Sequence, residues 1–515
     1  MKYKISDFKV SPLNNNLYNE IKKQLKITNF SYKILHKSID ARKKDNVFIN
    51  YSLMISTDEK INYKNIELYK EEINDFKYPN WKYDDRPVIV GFGPAGMFSA
   101  LYLARANARP IIIERGSKID ERKKAVKKFL ETKELNESSN IQFGEGGAGT
   151  FSDGKLTTNV KDKRIRFILN EFYKHGAKED ILYDAMPHIG TDYLEIIVKN
   201  IREEIISLGG EFYFDTIFIK ALEKEDSIDL VLKNDKEFII NTKHLFLGIG
   251  HSAKDTIRYL YNDLKLNMEQ KQFSMGVRIE HKREKINEAQ YGKFHKYLPS
   301  AYYKLAAHNL DNRGVYTFCM CPGGFVMASQ SNKDTIVVNG MSNNDRLNEN
   351  SNSAILVDVR KEDFDKGNVL DGIDYQEYYE KLAFNISKDY RAPSNLVKEF
   401  LNDEIATSER SIKTSYPHGL FFADLNKCLP KFVVDNIKFG IKEFDKKIKG
   451  FNDPDAILIG IESRSSCPIR MIRDKEYKSS NKYIFPIGEG AGYAGGITSA
   501  ALDGLKVAMF VNGEE

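Results

Sequence analysis

Apolar runs that lead directly into a glycine occur at residues 87–90, 244–247 and 483–487. Runs of this length, bounded by a turn residue, are typical of strands buried in a parallel sheet. Helical spacing follows the first run from 97 to about 107, and a further apolar run lies at 110–113. The pattern predicts a β-turn-α-β unit near the first run and two later strands of the same kind.

The chain before this unit has a different pattern. Residues 5–10 and 47–55 predict strands, and Leu17, Ile21 and Leu25 recur at helical spacing. These elements together indicate a small unit in which a helix packs on a sheet.

The rest of the chain alternates between helical and strand patterns. Apolar residues between 194 and 208 predict a helix that ends at Gly209 and Gly210. We expect an α/β protein with four segments. They are a small N-terminal α+β domain at 1–80, the first part of a Rossmann-type dinucleotide-binding domain at 81–261, an inserted α+β substrate domain at 262–480, and the last part of the dinucleotide-binding domain at 481–515.

Composition narrows the classes of function. A chain of 515 residues with 41% hydrophobic residues is large enough for two or three cores. Its 78 basic and 73 acidic residues give a net charge of +5, so a nucleic-acid partner is not indicated. We expect the basic runs Arg42-Lys43-Lys44 and Arg122-Lys123-Lys124 to be solvated faces.

The sequence also bears on location. It has no apolar stretch of membrane-spanning length, and its first residues lack the apolar core of a signal peptide. Four cysteines in a chain of this length do not make a disulfide framework. We expect a cytoplasmic protein without a membrane span, and the sequence predicts no oligomeric state.

The first motif with chemical content is Gly91-x-Gly93-x-x-Gly96, between the first predicted strand and its helix. In such a motif the first glycine allows a tight turn and the second lets the backbone approach a pyrophosphate. The third lets the helix pack closely on the strand, and the helix N-terminus favours the phosphate charge. The sequence therefore predicts a dinucleotide site at this turn.

Glu114 follows the run at 110–113 and lies 18 residues after Gly96. A carboxylate there can accept hydrogen bonds from the ribose of an adenosine. It would repel a 2′-phosphate, so NADP is disfavoured at this site.

A second glycine-rich turn, Gly488-Glu489-Gly490-Ala491-Gly492, follows the strand at 483–487, and Gly495-Gly496-Ile497 opens the last helix. A single NAD site does not need this second segment, whereas FAD can use it along the pyrophosphate and ribityl chain. This feature favours FAD over NAD.

A third glycine-rich stretch extends from 143 to 155. Its backbone amides can bind anionic or carbonyl groups, and Thr150, Ser152 and Lys155 add hydroxyls and a charge. Phe143 and Phe151 indicate that the stretch is packed and ordered.

Other candidate groups give weaker signals. Cys319 and Cys321 are either buried cysteines beside a turn, the favoured interpretation, or a redox pair. The histidines lack metal-ligand spacing, so no metal site is predicted, although His251 follows Gly250 and could lie near a cofactor. The arginines before the last strand either hold an anion or form a surface cluster; they are Arg464, Arg470 and Arg473.

These segments together resemble the largely uncharacterised FAD-dependent, NAD(FAD)-utilising dehydrogenases of the glutathione reductase-like flavoprotein superfamily. The resemblance covers nearly the whole chain and rests on 90–96, 143–156, 250–253, 318–324 and 488–497. It implies an FAD domain in several pieces, with a flavin-half site at the C-terminal glycines. Many members of the superfamily have Asp where Glu489 stands.

The motifs and the resemblance together give the expected cofactor-binding residues, whereas no catalytic residue is predicted. The expected residues are Gly91, Gly93, Pro94, Ala95, Gly96, Glu114, Arg115, Gly146, Gly147, Thr150, Ser152, Lys155, Gly248, Gly488, Glu489, Gly495, Gly496 and Ile497.

The expected function is that of an FAD-dependent dehydrogenase or reductase that transfers a hydride between the flavin and a small organic substrate. The sequence shows no second NAD-binding unit, so NAD(P)H would donate electrons at a transient site. The alternative is a flavoprotein whose N-terminal domain binds RNA or a partner through Lys22, Lys23 and the run at 42–44.

Overall fold

The computed structural model describes residues 1–14, 16–70, 76–309 and 311–514. At its N-terminus, a helix packs on an antiparallel sheet with the strand order β2-β3-β1-β4. Ile21 and Leu25 of this helix share a core with Ile5 and Leu53 of the sheet. The elements are β1 (Lys2–Val10), α1 (Leu17–Leu25), β2 (Ser31–Asp40), β3 (Phe48–Ser56) and β4 (Ile66–Leu68).

The next part of the chain contains the predicted β-turn-α-β unit. Its elements are β5 (Val88–Val90), α2 (Pro94–Arg105), β6 (Ile111–Ile113), α3 (Ile119–Thr132), α4 (Arg164–Lys174), α5 (Thr191–Ser207), β7 (Glu211–Tyr213), β8 (Ile217–Glu223), β9 (Ile228–Lys233), β10 (Glu237–Thr242), β11 (Leu245–Leu247) and α6 (Lys254–Asn262).

A longer mixed region follows, and the chain ends with one more strand and helix. The elements are β12 (Met268–Gln270), β13 (Phe273–Lys282), α7 (Arg283–Tyr291), β14 (Ala306–His308), β15 (Gly314–Cys321), β16 (Phe325–Ala328), β17 (Val338–Met341), β18 (Asn350–Val359), α8 (Lys361–Phe364), α9 (Asp371–Ser387), β19 (Ala392–Leu396), α10 (Val397–Leu401), β20 (Leu420–Phe422), α11 (Lys431–Lys447), β21 (Ile457–Glu462), β22 (Ile469–Met471), β23 (Ile484–Pro486) and α12 (Ile497–Val511). Short 3-10 helices cover Ala148–Phe151, Glu179–Leu182, Gly292–Tyr297 and Leu425–Lys427.

A five-stranded parallel sheet joins distant parts of the chain in the order β23-β11-β5-β6-β7. Leu245 of β11 pairs with Val88 on one side and with Ile484 on the other. Because the strands are parallel, their carboxyl ends lie at one edge of the sheet. The glycines that follow β5, β11 and β23 therefore meet at that edge.

The helix after β5 begins at Pro94, three positions before the start expected from the sequence. Proline is favoured in the first turn of a helix, because its missing N–H would have no intrahelical partner there. The earlier start brings the helix N-terminus directly behind Gly93.

The inserted region forms a second sheet with the order β14-β15-β18-β13-β21-β19-β20. Its core is the largest apolar cluster of the described residues and includes Val277, Ile355 and Leu458, with Ile437 and Ile441 from α11. The protein is thus mixed α/β, as expected.

The N-terminal sheet contacts the body of the protein through the outer edge of β2. The Lys37 amide donates to the Tyr183 carbonyl over 2.8 Å, and the Ala185 amide donates to the Lys37 carbonyl over 2.8 Å. This pairing covers an edge strand that would otherwise present open hydrogen-bonding groups.

Among the residues described, no helix has both the length and the apolar character needed to cross a membrane.

Candidate functional site

A cleft of about 1030 Å³ lies between the carboxyl edge of the parallel sheet and the domain built on the seven-stranded sheet. Its volume is at the upper end of the range for ligand pockets. Fourteen of the expected cofactor residues line it: Gly91, Gly93, Pro94, Ala95, Glu114, Arg115, Gly147, Ser152, Lys155, Gly248, Glu489, Gly495, Gly496 and Ile497. The other four, Gly96, Gly146, Thr150 and Gly488, lie in the packing behind its wall.

The three glycines of the first turn have different surroundings. A Cβ on Gly91, whose φ is +96°, would lie 2.3 Å from the Gly248 carbonyl oxygen. A Cβ on Gly96 would lie 1.9 Å from the Gly91 carbonyl oxygen. Gly93 has an ordinary extended backbone, and its Cβ would meet only the Cα of Gly147, at 3.7 Å. Gly91 and Gly96 are therefore required by packing, whereas Gly93 borders open space in the cleft.

Glu114 is buried, and its carboxylate is already held by the backbone. Its Oε2 accepts from the Phe92 amide at 2.9 Å, and its Oε1 accepts from the amides of Gly116 and Gly144 at 3.0 Å each. A carboxylate offers about four lone-pair sites. One acceptor position on Oε2 therefore remains for a ligand in the cleft.

Arg122 organises the glycine-rich loop from inside the protein. The expectation that it belongs to a solvated face is wrong, because its side chain is fully buried. The guanidinium donates to five carbonyl oxygens at distances between 2.7 and 3.3 Å, namely those of Asn140, Ile141, Gly144, Glu145 and Gly147. Burial lowers its pKa to about 10, which leaves it charged at neutral pH.

These hydrogen bonds point the loop carbonyls away from the cleft, toward Arg122. The amides of Ala148 and Gly149 lie at the start of a 3-10 helix and border the cleft, where a helix start leaves N–H groups without intrahelical acceptors. The arrangement presents donors, rather than acceptors, to whatever fills this part of the cleft.

A buried ion pair fixes the same loop to α5. Glu145 accepts from Arg202 at 2.8 Å and from the Ile119 amide at 2.7 Å. Gly146 packs beside it against Thr150 and Val198. Neither charged residue is indicated by the sequence, since their pairing joins positions far apart in the chain.

Lys155 lies where the glycine-rich loop meets the second domain. Its ammonium forms an ion pair of 3.2 Å with Asp153 and donates to the Met320 carbonyl. Burial acts to raise the pKa of Asp153, but Lys155 and Arg346 outweigh it and hold this pKa below its usual range. The charge of Lys155 is therefore paired with that of Asp153 at the cleft wall.

A buried polar network joins the turn after β11 to the second domain. Arg464 pairs with Glu380 at 2.8 Å and donates to Ser252 at 3.1 Å. Lys254 also pairs with Glu380, at 3.2 Å, and burial lowers the pKa of this lysine to about 8. The network fixes residues 250–253 against the opposite wall of the cleft.

The three arginines before the last strand are therefore not one cluster. Arg464 borders the cleft, with its charge matched by Glu380. Arg470 pairs with Glu269 at the surface, and Arg473 pairs with Asp503.

At the other end of the cleft, Glu489 lies 3.2 Å from Nδ1 of His251. The Nε2 atom of His251 is buried, and no described residue provides it with a hydrogen-bond partner. Gly495 has open space where a Cβ would be.

Cys319 faces the cleft, and Cys321 is buried beneath Gly340. Cys319 has a left-handed backbone, with φ of +39°, at a bulge in the pairing of β15 with β18. The Cys319 carbonyl accepts from Arg278 at 2.6 Å. Burial raises the pKa of the Cys321 thiol, which disfavours a reactive thiolate.

Among the described residues, no group of acidic, histidine or cysteine side chains is arranged to hold a metal ion.

Two family models match parts of the chain. Residues 272–465 match the family described as FAD-dependent protein, C-terminal domain-like, and residues 2–56 match a domain of unknown function. An uncharacterized protein of Clostridium beijerinckii is 45% identical over 490 residues, which cover 93% of this chain and 91% of the relative. The chain belongs to the same family as this clostridial protein. The expected class, an FAD-dependent oxidoreductase with an unidentified substrate, is confirmed at the level of the matched domain.

Similar solved structures share little sequence with the chain. The flavin-dependent brominase Bmp2 is 10% identical, with a TM-score of 0.38 over 84% of this chain and 80% of that chain. Aklavinone-11 hydroxylase, in a ternary complex with FAD and aklavinone, is 11% identical, with a TM-score of 0.34 over 85% and 62%.

Proposed function

We propose that the cleft holds FAD in an extended conformation on a Rossmann-type domain assembled from segments at both ends of the chain. The adenosine end would lie at Glu114, the pyrophosphate at the start of α2, and the isoalloxazine ring between Gly495–Ile497 and the second domain. The observation that carries the proposal is that the glycine turns after β5 and β23 border one continuous cleft.

The residues that line the cleft fit FAD. The first turn of α2 provides amides without intrahelical acceptors and a partial positive charge, which suit a pyrophosphate. Gly93 leaves room for close approach, and Glu114 keeps one acceptor position for a ribose hydroxyl. The unpartnered Nε2 of His251 suits a polar group of the cofactor or substrate.

When bound, FAD supplies the redox chemistry of the site, which we propose to be hydride transfer with a small organic substrate. The protein orients the reactants and excludes water. Arg122 fixes the loop that borders the cofactor, and Arg464 with Glu380 fixes the turn that contains His251. The wall opposite, formed by residues such as Tyr302 and Phe318, would position the substrate.

The proposal also includes an electron donor and a cellular compartment. NAD(P)H would bind transiently at the open side of the cleft, and the four free cysteines support a reducing, cytoplasmic compartment. The alternative, an N-terminal module that binds RNA or a partner, remains a prediction from Lys22, Lys23 and residues 42–44.

Reconstitution tests the proposal directly. Purified protein incubated with FAD and passed through a desalting column should keep a flavin absorption spectrum with about one FAD per chain. Anaerobic titration with NADH or NADPH should then bleach that spectrum. A chain that is folded by circular dichroism but retains no flavin would overturn the proposal.

A further inference from the structure

The wall of the cleft that faces the proposed flavin position has an uneven charge distribution. In the described part of the chain between 271 and 466, the cleft is lined by three cationic side chains, Lys271, Lys304 and Arg464, and by no aspartate or glutamate. Charged residues make up 29% of the sequence, with acids and bases almost equal in number, so a wall without any carboxylate is a local departure.

Only part of this charge is compensated within the protein. The guanidinium of Arg464 is neutralised by Glu380 behind the wall, at 2.8 Å. Lys271 and Lys304 have no carboxylate partner among the residues described. Two ammonium groups therefore leave a net positive charge on this side of the cleft.

Aromatic rings lie beside these charges. Tyr302 and Lys304 are two positions apart in an extended segment, and both line the cleft. The pairing of the next residues, Leu305 with Thr317 through two hydrogen bonds of 2.8 and 2.9 Å, places Lys304 opposite Phe318. Lys304, Tyr302 and Phe318 therefore lie on the same face of this wall.

We propose that the substrate is an organic anion with a flat, apolar body, whose negative group is held by Lys304 and whose body lies against Tyr302 and Phe318. The inference rests on the proposed function and gives its substrate a chemical class. Lys304 is exposed to solvent at this wall, so salt screens its attraction for an anion, and the rings beside it supply the apolar contact that an isolated surface lysine lacks.

Matched probes test this class. FAD-loaded protein is titrated at low ionic strength with 2-naphthoate and, separately, with the neutral 2-naphthamide, and binding is followed by calorimetry and by the flavin absorption spectrum. We expect the anion to bind at least tenfold more tightly than the amide, with a preference that shrinks as salt is added. Equal affinities, or no binding of 2-naphthoate, would overturn the proposal.

Charge-removing variants locate the effect. Lys304→Gln should weaken 2-naphthoate binding about fivefold and leave 2-naphthamide unchanged. Lys293→Gln, at an exposed lysine outside the cleft, is the matched control and should change neither affinity. If Lys304→Gln binds the anion as the unmodified chain does, the assignment to this lysine is wrong.

The two proposals can fail separately. FAD uptake is measured first, by absorption, and its failure counts against the proposed function alone. Calorimetry with the two naphthalene probes does not need the flavin signal, so the preference for the anion can still be measured in the unloaded chain.

Discussion

The hydroxyl of Ser99 in α2 donates a hydrogen bond of 2.9 Å to the carbonyl oxygen of Gly504 in α12, 405 positions later in the chain. The contact is close because Gly504 has no side chain: a Cβ there would lie 2.1 Å from the Ala95 carbonyl oxygen. The helix that starts at the first glycine turn and the helix that follows the last one are therefore in backbone contact. This contact fixes the position of the C-terminal glycine turn relative to Gly93.

Gly504→Ala should destabilise the protein by about 3 kcal/mol, because the added methyl overpacks against backbone that cannot move alone. Chemical denaturation of the flavin-free chain measures the change in the free energy of unfolding. Gly495→Ala is the matched control, since its methyl would enter open space, and it should leave that free energy unchanged. Equal effects of the two substitutions would contradict the packing described for α2 and α12.

Arg122→Met should cost about 4 kcal/mol of stability, because several buried carbonyl oxygens of the glycine-rich loop lose their donor. The same variant should bind FAD more weakly even at temperatures where it is fully folded, since the loop beside the cofactor loses its fixed shape. Thermal denaturation and FAD titration measure the two effects.

The neighbouring Lys123→Met serves as the control for Arg122, because Lys123 is half exposed and its ion pair with Glu195 lies at the surface. It should change stability by less than about 1 kcal/mol. An Arg122→Met protein as stable as the Lys123 variant would show that the loop does not depend on the guanidinium.

His418 should make the protein less stable in acid. It is buried beside Phe129 and Tyr416, and burial lowers its pKa to about 4 from an ordinary value of 6.5. Between these values the unfolded chain binds a proton that the folded chain does not, so stability falls as pH falls from 6.5 toward 4. The loss reaches about 3 kcal/mol.

Denaturation midpoints between pH 4 and pH 7, compared with those of His418→Phe, isolate this effect. Phenylalanine keeps the aromatic packing and cannot bind a proton, so the variant should show a flatter dependence of stability on pH. Identical slopes for the two proteins would mean that His418 does not contribute.

Local sequence patterns predicted several elements, among them the strand and the turn that border the cleft. Leu17–Leu25 is the helix that the spacing indicated. The strand Val88–Val90 follows from its apolar run, and the turn after it follows from the glycine that ends the run. The helix start was misplaced, because helical spacing of apolar residues does not reveal how far the first turn extends before Met97. Proline at position 94 was the available signal.

Contacts between distant segments account for what the sequence did not reveal. Arg122 belongs to a run of basic residues and was therefore expected in solvent, but its acceptors are carbonyls about twenty residues later that only the folded loop brings together. Glu380, Arg464 and Lys254 likewise form one network from three separate parts of the chain. Charge patterns along a chain do not identify such partners.

Calorimetric titration of flavin-free protein with FAD tests the central claim most directly, with Gly93→Val as the comparison. A Cβ at position 93 fits the backbone and meets only the Cα of Gly147, at 3.7 Å, and the methyl groups of valine would fill the space beside the start of α2 that the pyrophosphate would occupy. We predict one FAD per chain for the unmodified protein, and no binding together with an unchanged unfolding midpoint for the variant. A variant that binds FAD as tightly as the unmodified chain, or an unmodified chain that binds none, would contradict the account.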